Sequence, residues 1–244
     1  MSSPRVEWLS PLDSPQYFPD VESALREPDG LLAAGGDLSS ERLLSAYAAG
    51  IFPWYEDGQP ILWWSPDPRC VLRPGEFHVS RRLRQYLRRS AFTCSYNTAF
   101  SGVIHACAGR RRAQQGTWIT PAMIAAYERL HAEGWAHSVE VWAGTDLVGG
   151  IYGLSIGKVF FGESMFSLRD HASKFAMLAL CRVLTQNEFA LLDCQVLSPH
   201  LLTLGATQIP RTRFTAILHA ACPDKRQFHC WPSNPLPIAA LLAK

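Results

Sequence analysis

The sequence contains few cysteines, and their spacing excludes two common structural roles of cysteine. The 244 residues include seven cysteines, an odd number, and no two have the spacing of a CxxC pair. A secreted disulfide framework or a thiolate zinc site would need such pairing. The eight histidines are scattered without the spacing of metal ligands. We therefore expect no metal site and a reducing compartment.

Three motifs that bind nucleotides or zinc are also missing. The chain has no GxxxxGK[ST] loop, no GxGxxG turn and no HExxH helix. A P-loop, a Rossmann cofactor site and a zinc hydrolase therefore have no support in the sequence. We expect the protein to work without a cofactor.

Net charge and long apolar runs are scarce too. The 23 basic and 21 acidic residues give a net charge of +2, so a basic surface for a partner must come from local clustering. The longest nearly apolar stretch, residues 175–184, is interrupted by Arg182 and is too short to span a bilayer. No secretion signal is recognisable at the start. We expect a soluble cytoplasmic protein with no membrane contact.

Prolines and glycines mark off the first part of the chain. They crowd residues 18–75, where one short helix is predicted from Ser39 or Ser40 to Gly50. We interpret residues 1–70 as a small N-terminal domain.

The remaining residues, 71–244, are predicted to form one α+β domain. Helices are predicted at 80–89, 120–134, 172–185, before Gly205 and at 212–220, strands at 137–142, 146–153, 158–163 and 189–196. Short turns separate the first three strands, which favours an antiparallel meander. The predicted architecture is a mostly antiparallel sheet with packed helices.

The helix at 80–89 carries five arginines and no acidic residue. At about 100° per residue, Arg81, Arg84 and Arg88 fall within about 60° of one another, and Arg89 lies at about 80° from Arg81. We call Arg81, Arg84 and Arg88 the arginine face. A solvated surface would explain it, but such a surface usually mixes charges of both signs. Guanidinium groups also fit phosphate geometry, so RNA backbone is the alternative partner.

Three polar residues stand among apolar neighbours in predicted strands. Glu163 lies in VFFGESMFS, and Asp193 and Gln195 lie two positions apart in LLDCQV, which on a regular strand directs both to one face. A salt bridge, a cap or a buried hydrogen-bond network would account for them structurally. A functional site is the other interpretation.

The eight tryptophans exceed what a core requires. Those at positions 54, 63, 64 and 118 lie in loop-like or Pro- and Gly-rich surroundings. Each either covers the core or offers a surface on which a base stacks.

Several motifs in order resemble one family. They are GLLAAGGDLSSERLLSAYAAGIFPWY, ILWWSPDPR, GTWIT, AHSVEVW, LVGGIYG, FFGESMFS, ASK and LLDCQV. Over roughly residues 18–214 the chain resembles the leucyl/phenylalanyl-tRNA–protein transferases. The resemblance implies a cytoplasmic enzyme whose C-terminal domain is similar to the acetyltransferase-like GNAT fold. It would move Leu or Phe, with Met as a further candidate, from aminoacyl-tRNA to an N-terminal Arg or Lys and so mark the acceptor for degradation.

The resemblance also suggests roles for individual residues. Trp54 and Trp118 would flank the 3′ adenosine of Leu-tRNA or Phe-tRNA. The candidates to line the Leu or Phe pocket are Ile151, Phe160, Met165, Met177, Leu180 and Leu192. Asp193 and Gln195 would orient the attacking amine, with Glu163 organising the aminoacyl group. Arg81, Arg84, Arg88 and Arg89 would contact tRNA, and we expect a monomer.

Two other functions are open. A GNAT-like fold could bind acetyl-CoA, but the RxxGxG loop expected before the helix at 172 is missing, where SMFSLRDHASK stands. A non-catalytic tRNA-binding protein would explain the arginine face. It would not explain Glu163, Asp193 and Gln195.

Overall fold

The structure is a computed structural model that describes residues 5–115, 118–223 and 226–242. Strands and helices are interspersed along the chain in an α+β arrangement. The strands of these residues are β1 (Glu7–Leu9), β2 (Leu31–Gly35), β3 (Phe52–Pro53), β4 (Leu62–Trp64), β5 (Arg69–Leu72), β6 (Thr93–Tyr96), β7 (Ala136–Ala143), β8 (Asp146–Ile156), β9 (Val159–Ser167), β10 (Leu191–Gln195), β11 (Thr207–Ile209) and β12 (Leu236–Pro237). The helices are α1 (Ser40–Ala48), α2 (Arg81–Arg89), α3 (Phe100–Gln115), α4 (Pro121–Ala132), α5 (Ala172–Gln186), α6 (Pro199–Thr203) and α7 (Arg211–Ala221).

The strands form two sheets. The small sheet has the order β1-β2-β4-β3 and the large sheet the order β11-β5-β10-β9-β8-β7-β6-β12. In the large sheet β9 and β10 run parallel, while the other neighbours are antiparallel. The predicted α+β class and the meander of β7, β8 and β9 are confirmed. The chain passes from the small to the large sheet between Trp64 and Arg69.

Two hydrophobic cores cover the two faces of the large sheet. Phe161 belongs to a core shared with α1, α3, α4 and the small sheet, whereas Phe160 belongs to a core built on α2, α5 and the C-terminal segment. Alternate residues of β9 thus enter different cores, as the two-residue period of a strand requires. The cavity described below is therefore flanked by the sheet, the N-terminal region and the helices.

Local capping explains why three helices are predicted correctly. Ser39, Ser80 and Thr120 accept hydrogen bonds from the backbone at the starts of α1, α2 and α4. Helix α3 is not predicted, since it contains two glycines. Its start is held by the distant Glu140 of β7, which accepts from the backbone N–H of Thr98 and Ala99. Within the described residues no helix is long and apolar enough to cross a membrane.

Candidate active site

A cavity of about 300 Å³ lies where β9 and β10 separate. The two strands pair in parallel only from Val159 with Leu191 to Phe161 with Asp193. Beyond that point they diverge, and we call the opening the fork. The lining residues are Phe52, Pro53, Trp54, Trp118, Ile151, Gly162, Glu163, Ser164, Met165, Met177, Leu192, Asp193, Cys194, Gln195, Val196, Leu197, Ser198 and Leu201.

Both strands have an irregularity beside the fork. In β9 the register with β8 shifts at Glu163, between the pairs of Gly162 and Ser164. In β10 the register with β5 shifts at Cys194, and Gln195 has a φ of 60°. Such bulges redirect side chains. The bulge at Cys194 interrupts the regular alternation on which the predicted shared face of Asp193 and Gln195 is based, and both residues nevertheless line the same cavity.

Glu163 is buried in a cluster of hydrogen-bond donors. Its Oε1 accepts from the hydroxyl of Tyr47 at 2.7 Å and from Nε2 of Gln195 at 2.8 Å, and its Oε2 accepts from the hydroxyl of Tyr127 at 2.9 Å. The two tyrosine hydroxyls also contact each other; their two protons supply two of the three bonds among the hydroxyls and the carboxyl, and a protonated carboxyl would supply the third. Burial raises the pKa of Glu163 to about 7. The hydrogen bonds from Tyr47, Tyr127 and Gln195 lower it, and the nearby charge of Asp193 raises it further. The carboxyl can therefore exchange a proton near neutral pH.

Asp193 is held differently, by a fully buried ion pair. Arg69 Nε donates to Oδ1 at 2.9 Å and Arg69 Nη2 donates to Oδ2 at 2.8 Å. The guanidinium lies between the rings of Phe52 and Phe214, at 4.8 and 4.7 Å from their centres. The backbone N–H of Gln195 adds a bond to Oδ1 at 3.0 Å. Both carboxylate oxygens are thus occupied.

Most residues assigned to substrate binding lie around the cavity. Trp54, Trp118, Ile151, Met165, Met177 and Leu192 line it. Phe160 and Leu180 are not among its lining residues, and both are buried in the second core. Phe160 packs edge-on against Trp231 with ring centres 6.1 Å apart. These two residues therefore support the site from behind rather than lining it.

The arginine side chains of α2 extend into solvent. Leu83 and Leu87 are its buried residues, while Arg81, Arg84, Arg88 and Arg89 are exposed. In the described part of the chain, none of these four arginines forms an ion pair. The predicted orientation of the helix is confirmed, and its contact with tRNA stays a prediction.

Three residues that contact Glu163 or Asp193 are not predicted from the sequence. Tyr47 and Tyr127 look like ordinary apolar positions of α1 and α4, and nothing in the sequence indicates that they meet at Glu163. Arg69 had a signal, because it is a charge within the otherwise apolar strand RCVL. A buried strand that contains an arginine requires a buried acid nearby.

Comparison with known proteins identifies the family. A family model described as "Leucyl/phenylalanyl-tRNA protein transferase" matches residues 71–219, and the model of that family's N-terminal domain matches residues 36–67. A leucyl/phenylalanyl-tRNA–protein transferase of Cellvibrio japonicus is 56% identical over 213 residues, covering 87% of this chain and 90% of the relative. One of Azotobacter vinelandii is 58% identical over 201 residues, covering 82% and 89%.

These matches first define the class: the chain is a transferase. More closely, it belongs to the leucyl/phenylalanyl-tRNA–protein transferase family. Among solved structures, AAC(6')-Iy in complex with a bisubstrate analogue aligns with 59% of this chain and 99% of its own, at 15% identity and a TM-score of 0.33. A score of that size carries no argument about fold or activity.

Proposed function

We propose that this enzyme transfers leucine or phenylalanine, with methionine as a further candidate, from aminoacyl-tRNA to the N-terminal Arg or Lys of a protein. The observation that carries the proposal is the cavity, where a buried acid with a raised pKa adjoins an apolar wall and two tryptophans. The names of the relatives support the same activity.

The cavity offers separate places for the parts of the aminoacyl end. Ile151, Met165 and Met177 give it an apolar wall suited to a leucine or phenylalanine side chain, which has no polar group to satisfy. Trp54 is 43% exposed and also lines the cavity, so it stands at the opening. Together with Trp118 it offers indole faces on which the terminal adenine can stack.

The reaction is aminolysis of the ester that joins the amino acid to the tRNA ribose. The acceptor α-amine must be neutral to attack, and its ordinary pKa is about 7.7 to 8.0. In the attack a C–N bond forms, the C–O bond to the ribose breaks, the nitrogen loses a proton and the ribose oxygen gains one. We assign the proton transfer to Glu163, whose pKa of about 7 is close to that of the amine.

Asp193 and Gln195 then act by positioning. Because Asp193 forms a fully buried ion pair with Arg69, protonating it would leave the guanidinium without its counter-charge, so this carboxylate fixes the end of β10 rather than receiving the proton of the amine. The bond from its Oδ1 to the backbone of Gln195 holds that residue, whose amide reaches Glu163. Correct placement of the reactants lowers the activation free energy by about 7 to 11 kcal/mol in well-oriented systems.

The remaining parts of the proposal concern the molecule as a whole. The arginine face and Arg89 bind tRNA phosphates, residues 1–70 and 71–244 are the two domains, and the second has a GNAT-like arrangement. The enzyme acts in the cytoplasm as a monomer and marks its acceptors for degradation. The exposure of the arginines and the change of sheet between Trp64 and Arg69 support the first two points.

Transfer can be tested directly with labelled Leu-tRNA and a peptide that begins with arginine. We expect a product heavier by one leucine residue at the peptide N-terminus. The same peptide with an acetylated N-terminus is the matched control and should remain unchanged. Label released without any modified peptide would contradict the proposal.

A further inference from the structure

The cavity touches the edges of β9 and β10 as well as their faces. Its lining includes the consecutive residues 162–165 of β9 and 194–198 at and after the end of β10. Gly162 has no side chain, so it can border the cavity only through its backbone. The backbone of β9 beside the bulge therefore lies at the edge of the cavity.

Among the described residues, the edge of β9 that faces β10 has no strand beside it beyond Phe161. On its other side β9 stays paired with β8 as far as Ser167, whereas its pairing with β10 stops at Phe161. In the described part of the chain, no turn or loop bond fills the gap between Glu163 and Phe166 on the β10 side. Unpaired strand edges of this kind bind extended peptides by main-chain hydrogen bonds.

A side chain at the same edge also lacks a partner. Ser164 is 6% exposed and lines the cavity, and its hydroxyl has no hydrogen-bond partner among the described residues. Buried hydroxyls are nearly always bonded. The oxygen itself is shielded in this conformation, and rotation about χ1 would bring it to a polar ligand in the fork.

The charges at the narrow end of the fork indicate which end of a peptide enters first. Asp193 is paired with Arg69, whereas Glu163 has tyrosine and glutamine partners and no cation within ion-pair distance in the described chain. A peptide N-terminus is cationic when protonated, so it complements Glu163. The rest of the bound peptide can then extend only toward the open end of the fork.

We propose that the acceptor polypeptide binds in the fork as an added β-strand, with its N-terminus at Glu163 and its chain parallel to β9 and β10. The direction follows because both strands run from the narrow end of the fork outward. The backbone of the first few acceptor residues bonds to the free edge of β9, and Ser164 bonds to the same segment. This inference rests on the proposed transfer to a peptide N-terminus.

An ester scan of the acceptor peptide tests the geometry. Single amide groups at residues two to five are replaced by esters, which keep the shape and remove one N–H. Along a strand bonded at one edge, alternate N–H groups bond, so the KM for peptide should rise about 2- to 10-fold at every second position. An ester at residue eight, beyond the free edge, is the control and should have no effect.

A protein variant tests the hydroxyl. Ser164→Ala should raise the KM for peptide while leaving the KM for Leu-tRNA and the Tm unchanged, since no internal bond is lost. Ser155→Ala is the matched control, because Ser155 is another buried serine with an unbonded hydroxyl, on β8 and outside the cavity. It should change neither KM.

The results separate this inference from the proposed function. If the all-amide peptide is not a substrate, the proposed function fails. If it is a substrate but all esters react with the same KM, the added strand is refuted while the transfer activity stands. Equal losses at adjacent positions would also refute it, because they lack the two-residue period.

Discussion

Glu163→Gln is expected to change how the free energy of unfolding depends on pH. Below pH 4.5 the Glu163 carboxyl is protonated in both the folded and the unfolded chain. Between pH 4.5 and about 7 the unfolded chain has lost that proton and the folded chain retains it. Folding then takes up a proton, so the stabilisation that Glu163 gives at low pH is lost as the pH rises. Glutamine does not titrate and lacks this dependence.

The size of the effect follows from the two pKa values. A pKa displaced from 4.5 to about 7 corresponds to about 3 kcal/mol, because each pH unit corresponds to about 1.4 kcal/mol. Urea unfolding of wild type and Glu163→Gln at half-unit steps from pH 4.5 to 8 measures it. The stability of the variant relative to wild type should rise by about 3 kcal/mol over that range.

The other titrating groups are the same in wild type and variant, so their contributions to the pH dependence cancel in the difference between the two curves. A change in the hydrogen bonds of Tyr47 and Tyr127 would shift the whole curve and leave its pH dependence unaltered. Ser155→Ala serves as the control, since it removes a buried hydroxyl and no titrating group and its curve should run parallel to that of wild type. Parallel curves for Glu163→Gln and wild type would refute the reasoning and remove Glu163 as the proton acceptor.

Three further substitutions test other parts of the molecule. Asp193→Asn should lower the free energy of unfolding by about 3 to 5 kcal/mol, because Arg69 is left buried without its counter-charge; adding Arg69→Met should restore most of the loss in urea unfolding. Replacing the arginine face with alanine should flatten the salt dependence of tRNA binding by about 0.7 to 0.9 in log–log slope per lost phosphate contact, and an unchanged slope would contradict that contact. Met165→Ala should alter the ratio of leucine to phenylalanine transfer, whereas Phe160→Ala should lower the Tm and keep the ratio; similar ratios for both variants would exclude Met165 from the pocket.

The helices show how far local signals extend. The starts of α1, α2 and α4 are predicted because Ser39, Ser80 and Thr120 lie next to the backbone groups that they cap. Helix α3 depends on Glu140, which is about 40 residues away along the chain. No local pattern encodes that contact, so the helix escapes prediction.

The residues of the site likewise include some that the sequence indicates and others that only the folded structure shows. Glu163 and Asp193 stand out in the sequence because an acid in an apolar strand needs a partner. The partners themselves, Tyr47, Tyr127 and Arg69, come from three other elements, and only the folded chain shows which acid each one meets. The sequence therefore predicts that polar clusters exist here, and the structure assigns the ion pair to one acid and the hydroxyl cluster to the other.

The two bulges give the site a local geometry that strand periodicity does not predict, although the periodicity does indicate where the site lies. A bulge interrupts the alternation of side chains and bends its strand, and one lies in each strand of the fork, at Glu163 and at Cys194. Gln195 adopts a left-handed φ of 60°, which costs a residue with a side chain about 1 to 2 kcal/mol. In return its amide lies 2.8 Å from Glu163. Departures from regular structure concentrate where function requires a geometry that a regular strand lacks, so two bulges beside one cavity support the choice of this cavity as the candidate site.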